Sequence, residues 1–215
     1  MRYGILLYDG VEPIDVGATF GVLSMARRVE PRLSFFGIAR SAGTVVCANG
    51  LRVVADHGFA TCPEMDILVV TGGPGWSAAA ADPETLAFVR RVAAGTAVAS
   101  ICTGAMILAG AGVLDGRTAT TKREVIATEI PPVEVLRERH PTVTVIETSV
   151  VQSGRVVTSG GVSLGIDGML HVIAQLHGAD VANETARILE YQRAWAANRS
   201  ALPPVLSEHM PLAAK

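Results

Sequence analysis

The chain has 215 residues, of which 49% are hydrophobic and 18% are charged. Its 18 Lys and Arg side chains nearly balance its 20 Asp and Glu side chains, for a net charge of −2, and neither sign forms a long run. This balance argues against nucleic acid or an anionic membrane as a partner, and the high apolar content predicts a layered fold with a full core.

The predicted elements alternate between short apolar runs and amphipathic segments. They are, in chain order, a strand over 3–9, a helix over 13–29, a strand over 33–39, a hairpin over 44–56 turning at Asn49-Gly50, a strand over 66–72, a helix over 82–94, a strand over 96–101, a helix over 103–114, two or three strands over 142–160 turning at Ser153-Gly154, and helices over 161–178 and 179–197. Asp82 and Pro83 supply an N-cap and a first helical residue.

Continuous apolar strands separated by helices are typical of a parallel sheet that is covered on both faces. We therefore predict the α/β class, as a single-domain three-layer sandwich with a flavodoxin-like, mostly parallel sheet and a small antiparallel hairpin. The domain is expected to span residues 1–200, and residues 201–215, with Pro203, Pro204 and Pro211, are expected to form a flexible tail.

The start of the chain, MRYGILLYDGVEP, lacks the apolar core and cleavage site of a signal peptide. No apolar stretch reaches the roughly 18 residues of a membrane-spanning helix. The odd number of cysteines, without C-x-x-C spacing, favours neither disulfides nor zinc, and the histidines are scattered without metal-ligand spacing. We expect a cytoplasmic protein with no cofactor, no metal and no membrane partner.

Cys102 lies where the strand over 96–101 gives way to a helix, with Gly104 shortly after it. This pattern resembles a nucleophile elbow, in which a strained turn points the side chain toward a cleft. The positive end of the helix dipole would lower the pKa of a thiol there. A buried, inert cysteine fits the local pattern equally well. Cys47 and Cys62 have no such setting, and we interpret both as structural.

Two further loops are expected at the carboxyl ends of the strands, where open parallel sheets bind ligands. In TGGPGW, Gly73 could present a backbone amide to a developing negative charge, although a plain tight turn has the same spacing. In EPIDVG, Asp15 could cap a helix; if it meets Cys102 it could instead relay a proton. Its apolar neighbours Ile14 and Val16 predict partial burial and a raised pKa.

The segments YDGVEPIDVGATFGVL, DILVVTGGPG, ASICTGAMILAGAGVLDGRTATT and VTSGGVSLGIDGMLHVIAQLHGADVANETARILEY resemble, in this order, the ThiJ/PfpI superfamily with its class I glutamine amidotransferase-like fold. The resemblance runs from about Ile5 to Tyr191 and is strongest to the isonitrile hydratase branch. It implies an enzyme that hydrates an isonitrile, R–N≡C, to an N-substituted formamide through a cysteine nucleophile.

The roles that the resemblance implies fall on four positions of this sequence. Cys102 would attack the isocyano carbon, Asp15 would shuttle protons and orient water, and Thr103 would position the small-molecule substrate. An amide of the glycine loop, at Gly73, would lie close to the thiol. The superfamily also implies a homodimer, since twofold pairs are its common assembly.

The chain departs from the superfamily at three places. Thr103 follows the cysteine where many proteases and amidases of the superfamily have histidine, so peptidase activity is not expected. Asp15 is shorter than the Glu of the deglycase and glyoxalase branches. The branch's TTHW reads TTKRE here, and we interpret Lys122 and Arg123 as part of a solvated surface turn; if this turn instead lines the pocket, it would change the pocket's polarity.

An alternative function is a ligand- or redox-sensing ThiJ/PfpI protein, with a reactive cysteine and no isonitrile turnover. Regulators of the superfamily carry a DNA-binding domain after the sensor, and only some twenty residues follow Tyr191. We therefore expect no binding of nucleic acid.

Overall fold

The structure is a computed structural model that describes residues 1–208 and Leu212. Its strands are β1 (Arg2–Leu6), β2 (Ser34–Ala39), β3 (Gly43–Val46), β4 (Arg52–Ala55), β5 (His57–Gly58), β6 (Ile67–Val70), β7 (Ala97–Ser100), β8 (Thr118–Ala119), β9 (Thr144–Val145), β10 (Val150–Ser153), β11 (Val156–Ser159) and β12 (Val205–Glu208). Its helices are α1 (Pro13–Val29), α2 (Trp76–Ala79), α3 (Pro83–Ala93), α4 (Gly104–Gly110), α5 (Pro132–Arg139), α6 (Leu164–His177), α7 (Ala179–Ile188) and α8 (Gln192–Ala201).

The central sheet has eight described strands in the order β12-β10-β11-β7-β6-β1-β2-β5. All neighbours pair in parallel except β10 and β11. Strands β3 and β4 form a separate antiparallel hairpin. The inner order β2-β1-β6-β7-β11 is the flavodoxin-like order, so the predicted fold class is confirmed.

Helices cover both faces of the sheet because successive strand residues point to opposite sides and both sides are apolar. Ile5 and Val69 pack into the core that includes residues of α1 and α6. Leu6 and Leu68 pack into the opposite core, which includes residues of α3 and α4. This two-sided burial leaves the carboxyl ends of β1, β6 and β7 as the place where loops can form a cleft.

The predicted final helix over 179–197 is wrong as one element. It is broken between α7 and α8 by Glu190, whose φ is 55°, and the Tyr191 amide donates to the carbonyl oxygen of Ala186 at 2.9 Å. The Tyr191 hydroxyl donates to Asp167 on α6 at 2.8 Å. This contact between Tyr191 and Asp167 holds the turn in place. The periodicity of a short sequence window does not show such a contact. Helix α5, which begins after Pro131, was not expected.

The tail is also more ordered than expected. Strand β12 pairs in parallel with β10, and the Ser149 hydroxyl donates to the carbonyl oxygen of Leu202 at 2.7 Å. A flexible tail over 201–215 is therefore wrong for residues up to 208, because an open sheet edge was available to bind them. Residues 209–211 and 213–215 of that expected tail lie outside the described residues, and Leu212 is buried.

None of the helices within the described part of the chain is long and apolar enough to cross a bilayer.

The N-cap of α3 allows a test of the fold. Asp82 accepts hydrogen bonds from the amide and hydroxyl of Thr85 at 2.9 and 2.6 Å and forms an ion pair with Arg40. Arg40 and Thr85 together hold the pKa of Asp82 at about 2. We expect Asp82→Ala to lower the free energy of unfolding by about 1 kcal/mol, as loss of an N-cap usually does.

Urea denaturation of wild type, Asp82→Ala and Asp82→Asn at pH 7 and pH 3 checks this expectation. Asn keeps an acceptor for Thr85, so it should lose less stability than Ala. Because the folded pKa is depressed, the contribution of the carboxylate is present above its ordinary pKa near 3.8 and is lost as the pH falls toward 2. Equal stability of all three proteins at pH 7 would contradict the capping role.

Candidate active site

The three loops that leave the carboxyl ends of β1, β6 and β7 meet at one cavity of about 550 Å³, as the sequence predicted. Its lining combines the loop residues with a largely apolar wall from the segment that leads into α5. The lining residues are Glu12, Gly73, Pro74, Trp76, Cys102, Thr103, Lys122, Val125, Glu129, Ile130, Pro132, Val135 and Val162.

Cys102 has the strained backbone that was expected at the elbow between β7 and α4. Its φ is 55°, in the left-handed region that few side chains other than Gly and Asn adopt. Two hydrogen bonds hold this backbone conformation. The Cys102 amide donates to the carbonyl oxygen of Gly160 at 3.2 Å, and the Cys102 carbonyl oxygen accepts from the Thr121 hydroxyl at 2.8 Å. A Cβ on Gly104 would lie 2.1 Å from the carbonyl oxygen of Val70, so only glycine lets α4 start this close to β6.

Asp15 lies in the first turn of α1 and is fully buried. Its Oδ2 accepts from the Gly72 amide at 3.1 Å. Its Oδ1 has no hydrogen-bond partner of ordinary geometry among the described residues. The Cys102 thiol lies near enough to lower the pKa of this carboxylate, so the two predicted residues form one buried pair.

Burial raises the pKa of Asp15 to about 7. The Cys102 thiol, the Gly72 amide and the charge of Lys122 oppose this rise, and Glu12 adds to it. The expected burial and raised pKa of Asp15 are therefore confirmed. A carboxyl group with this pKa can accept or donate a proton near neutral pH.

The expected lowering of the Cys102 pKa is wrong. Burial first, and then the negative charge of Asp15, raise it to about 12. The amides of Val162 and Thr103 and the charge of Lys122 favour the thiolate but do not reverse the shift. Loss of solvent outweighs the dipole of α4, which has only seven residues. The carboxyl group is thus the first of the pair to ionise, and it faces a neutral thiol.

Thr103 and Gly73 are held to each other. The Gly73 amide donates to Thr103 Oγ1 at 2.8 Å, and that hydroxyl lies 3.3 Å from the Gly73 carbonyl oxygen. Gly73 has φ of 150°, and a Cβ there would lie 2.2 Å from the Glu12 nitrogen. Gly73 does lie in the cavity wall, but its amide is not the free donor that the sequence suggested, because Thr103 occupies it.

Two neighbours of the pair were not found from the sequence. The Val162 amide points at the sulfur of Cys102, and Val162 has a φ of 54°. The Tyr8 hydroxyl donates to the carbonyl oxygen of Thr71 at 3.1 Å; burial, with the charges of Asp15 and Cys102, holds its pKa well above the ordinary value. Tyr8 is the last residue of the first apolar run and is followed by the polar Asp9. This position at the end of a predicted strand could have identified Tyr8 as a site residue.

Lys122 was interpreted as part of a solvated turn, and this is wrong. It is half-buried and lines the cavity, and its charge acts on both Asp15 and Cys102. Arg123 does not line the cavity and pairs with Glu124 at 3.4 Å. Lys122 is held at the cavity because the hydroxyl of the preceding residue, Thr121, donates to the carbonyl oxygen of Cys102. These residues are 19 positions apart, so a local sequence pattern does not show the contact.

The remaining cysteines lie away from the pair. Cys47 is buried beside the hairpin, and Cys62 lies in a different cavity with Met65 and Phe88. Both have a raised pKa, chiefly through burial. Among the described residues, no three His, Cys, Asp or Glu side chains come together as metal ligands would.

Comparison with known proteins places this geometry in a family. The family model for the DJ-1/PfpI family matches residues 1–175. Isonitrile hydratase of Pseudomonas putida is 31% identical over 194 residues, which are 89% of this chain and 78% of that enzyme. The HTH-type transcriptional regulator CdhR of Pseudomonas aeruginosa is 32% identical over 184 residues, or 84% of this chain, and this chain covers only 52% of the regulator.

Among solved structures, a ThiJ/PfpI family protein from Pseudomonas syringae superposes with a TM-score of 0.74 at 29% identity, covering 88% of this chain and 74% of the other. The resemblance expected from the sequence is thereby confirmed. The match across most of the chain, together with the fold, shows that this protein belongs to the DJ-1/PfpI family.

Proposed function

We propose that the protein is a cofactor-independent enzyme of the isonitrile hydratase type, which adds water to an isonitrile through Cys102. The observation that carries the proposal is the buried Cys102–Asp15 pair, in which a carboxyl group with a pKa of about 7 faces a thiol that lines an apolar-walled cavity. The 31% identity to isonitrile hydratase supports the choice of substrate.

The first step joins the thiol to the substrate. Asp15 accepts the thiol proton as the Cys102 sulfur attacks the terminal carbon of R–N≡C, and it delivers that proton to the same carbon. The product is the thioimidate R–N=CH–S–Cys102. Asp15 is suited to this transfer because a general base works best when its pKa lies near the working pH, and the free thiol need not ionise beforehand.

The second step releases the product. Water attacks the thioimidate carbon and gives one proton to Asp15, the C–S bond breaks, and the nitrogen gains a proton to form R–NH–CHO. Cys102 regains its proton, so the sum is R–N≡C plus water giving the formamide. The Val162 and Thr103 amides that face the sulfur would stabilise negative charge on it as the C–S bond breaks.

The cavity wall suits a neutral, apolar R group. Trp76, Val125 and Ile130 are among its lining residues, and burial of their apolar surface with the R group would supply binding free energy. Thr103, held by its bonds to Gly73, would fix the end of the cavity next to the isocyano group. Gly73 would act through Thr103 and not as a direct oxyanion donor.

We further infer a cytoplasmic homodimer. The three cysteines are free thiols, which fits a reducing compartment. The exposed face of α1 forms an apolar groove with Ser163, Ile166 and Leu189. Ile14 on this face is 53% exposed, and a Cβ on Gly17 or Gly21 would meet nothing. A second copy of this face would cover the groove in a twofold pair.

The catalytic prediction concerns Cys102. We expect wild type to produce N-cyclohexylformamide from cyclohexyl isocyanide, and Cys102→Ala to abolish production because no nucleophile remains. Product is measured by chromatography, with circular dichroism to verify folding. Cys62→Ala, which removes a thiol from another cavity, should keep full turnover. A folded wild type that makes no formamide, while Cys102 is alkylated near neutral pH, would favour the ligand- or redox-sensing alternative.

The proton-transfer prediction concerns Asp15. Its pKa is raised to about 7, so the base form exists above that pH, and the rate should rise as the pH increases through about 7 and then level off. Asp15→Asn should lower the rate by about 100- to 10,000-fold, the usual value of general base catalysis, and remove the inflection. Asp180→Asn, on the surface of α7, should leave the profile unchanged. An inflection retained in Asp15→Asn would refute the assignment.

The assembly prediction uses Gly21 on α1. We expect wild type to sediment as a dimer at micromolar concentration and Gly21→Arg to sediment as a monomer, because a long charged side chain would stand in the interface. The substitution has open space around it, so the fold should persist. Gly95→Arg, also in open space but outside this groove, is the matched control. A monomeric wild type would rule out the dimer.

A further inference from the structure

We propose that Lys122 is a positioning residue of this site: its ammonium group holds the single negative charge that Cys102 and Asp15 share, so that the pair is ready to transfer a proton at neutral pH. The inference deepens the proposed function and rests on it for its use in turnover. It concerns a residue at which this chain departs from the isonitrile hydratase branch.

The backbone around Lys122 is fixed on two sides. The preceding residue, Thr121, is fully packed and donates its hydroxyl proton to the carbonyl oxygen of Cys102 at 2.8 Å. The carbonyl oxygen of Lys122 itself accepts from the Val133 amide in α5 at 3.0 Å. The segment is therefore tied to the elbow at one end and to the cavity wall at the other, and it cannot swing out as a surface turn would.

The side chain is directed by Gly161. A Cβ at Gly161 would lie 2.7 Å from Cγ and 3.0 Å from Cβ of Lys122, so the aliphatic stem of the lysine lies directly on this glycine. The next residue, Val162, is the one whose amide faces the sulfur of Cys102. The stem thus packs on the same loop that contacts the reacting thiol, and a lysine stem commonly packs on such a surface while its charged end reaches farther.

The ammonium group of Lys122 is not neutralised by an ion pair with another described side chain. Among the described residues it forms no salt bridge, and it is the sole Lys, Arg or His in the described cavity lining. Its charge favours ionisation of both Asp15 and Cys102. The cavity lining also holds two carboxyl groups, those of Glu12 and Glu129. Glu12 at the start of α1 disfavours the Asp15 carboxylate, and the phenol of Tyr8 stays protonated.

Lys122 therefore determines the net charge of the Cys102–Asp15 pair at neutral pH. Attack requires that the pair has lost one of its two protons, whichever atom carries the remaining one. Burial opposes any charge at this place, and a nearby cation is the ordinary means of compensating for it. Without Lys122 the pair would keep both protons to a higher pH.

The test is the pH dependence of Cys102 alkylation by iodoacetamide, from pH 5 to pH 9, followed by mass spectrometry of the peptide that contains Cys102. Lys122→Met keeps the stem on Gly161 and removes the charge. We expect the midpoint of its profile to lie higher than in wild type by about one pH unit, with about 5-fold slower alkylation at pH 7, as loss of one nearby charge implies. Lys122→Arg should restore the wild-type midpoint.

Two further variants keep the test decisive. Lys122→Glu should move the midpoint further upward than Lys122→Met, so the expected order is Arg, Met, Glu. Arg139→Met removes an exposed charge from α5 and should change nothing. If Lys122→Met follows the wild-type profile, or if the order of the variants differs, Lys122 only fills space and the proposal is overturned. The assay contains no isonitrile, so an absence of formamide production would refute the proposed function without affecting this result.

Discussion

Desolvation of the Cys102–Asp15 pair is the constraint on which the rest of the site depends. Two ionisable groups in contact and out of water each resist carrying charge, and the pKa values of both are raised. Asp15 therefore loses its proton near pH 7, whereas the Cys102 thiol stays neutral. The surrounding backbone amides and Lys122 then act on a negative charge whose position is already fixed. They can stabilise it without any rearrangement of solvent.

This desolvation requires backbone segments to approach more closely than side chains allow. A Cβ on Gly72 would lie 2.7 Å from Oδ2 of Asp15 and 2.5 Å from the nitrogen of Thr103. Glycine at this position lets the loop after β6 pass between the carboxylate and the elbow. The strain at Cys102 and Val162 is concentrated at the same contact, as is common where a structure serves a reaction.

The general fold could be predicted from the sequence because it depends on local patterns, whereas the roles assigned to Cys102, Asp15, Thr103 and Gly73 came mainly from the family resemblance. Apolar strands of four residues, such as β6 and β7, and the Asp82 cap are visible in a short window. The sign of the Cys102 pKa shift could not be predicted, since it depends on how much solvent the whole fold removes. The same holds for Lys122 and β12, whose positions depend on contacts with residues far away in the chain.

The last described strand has a consequence for the behaviour of the protein in concentrated solution. Strand β12 covers β10, so the two outer strands of the central sheet are β12, with four residues, and β5, with two. Short edges offer another molecule few unpaired backbone groups, and this is how natural sheets avoid edge-to-edge aggregation. Strand β10 is buried along its whole length. By covering β10, strand β12 therefore protects the protein against aggregation. This role is separate from that of the site around Cys102 and Asp15.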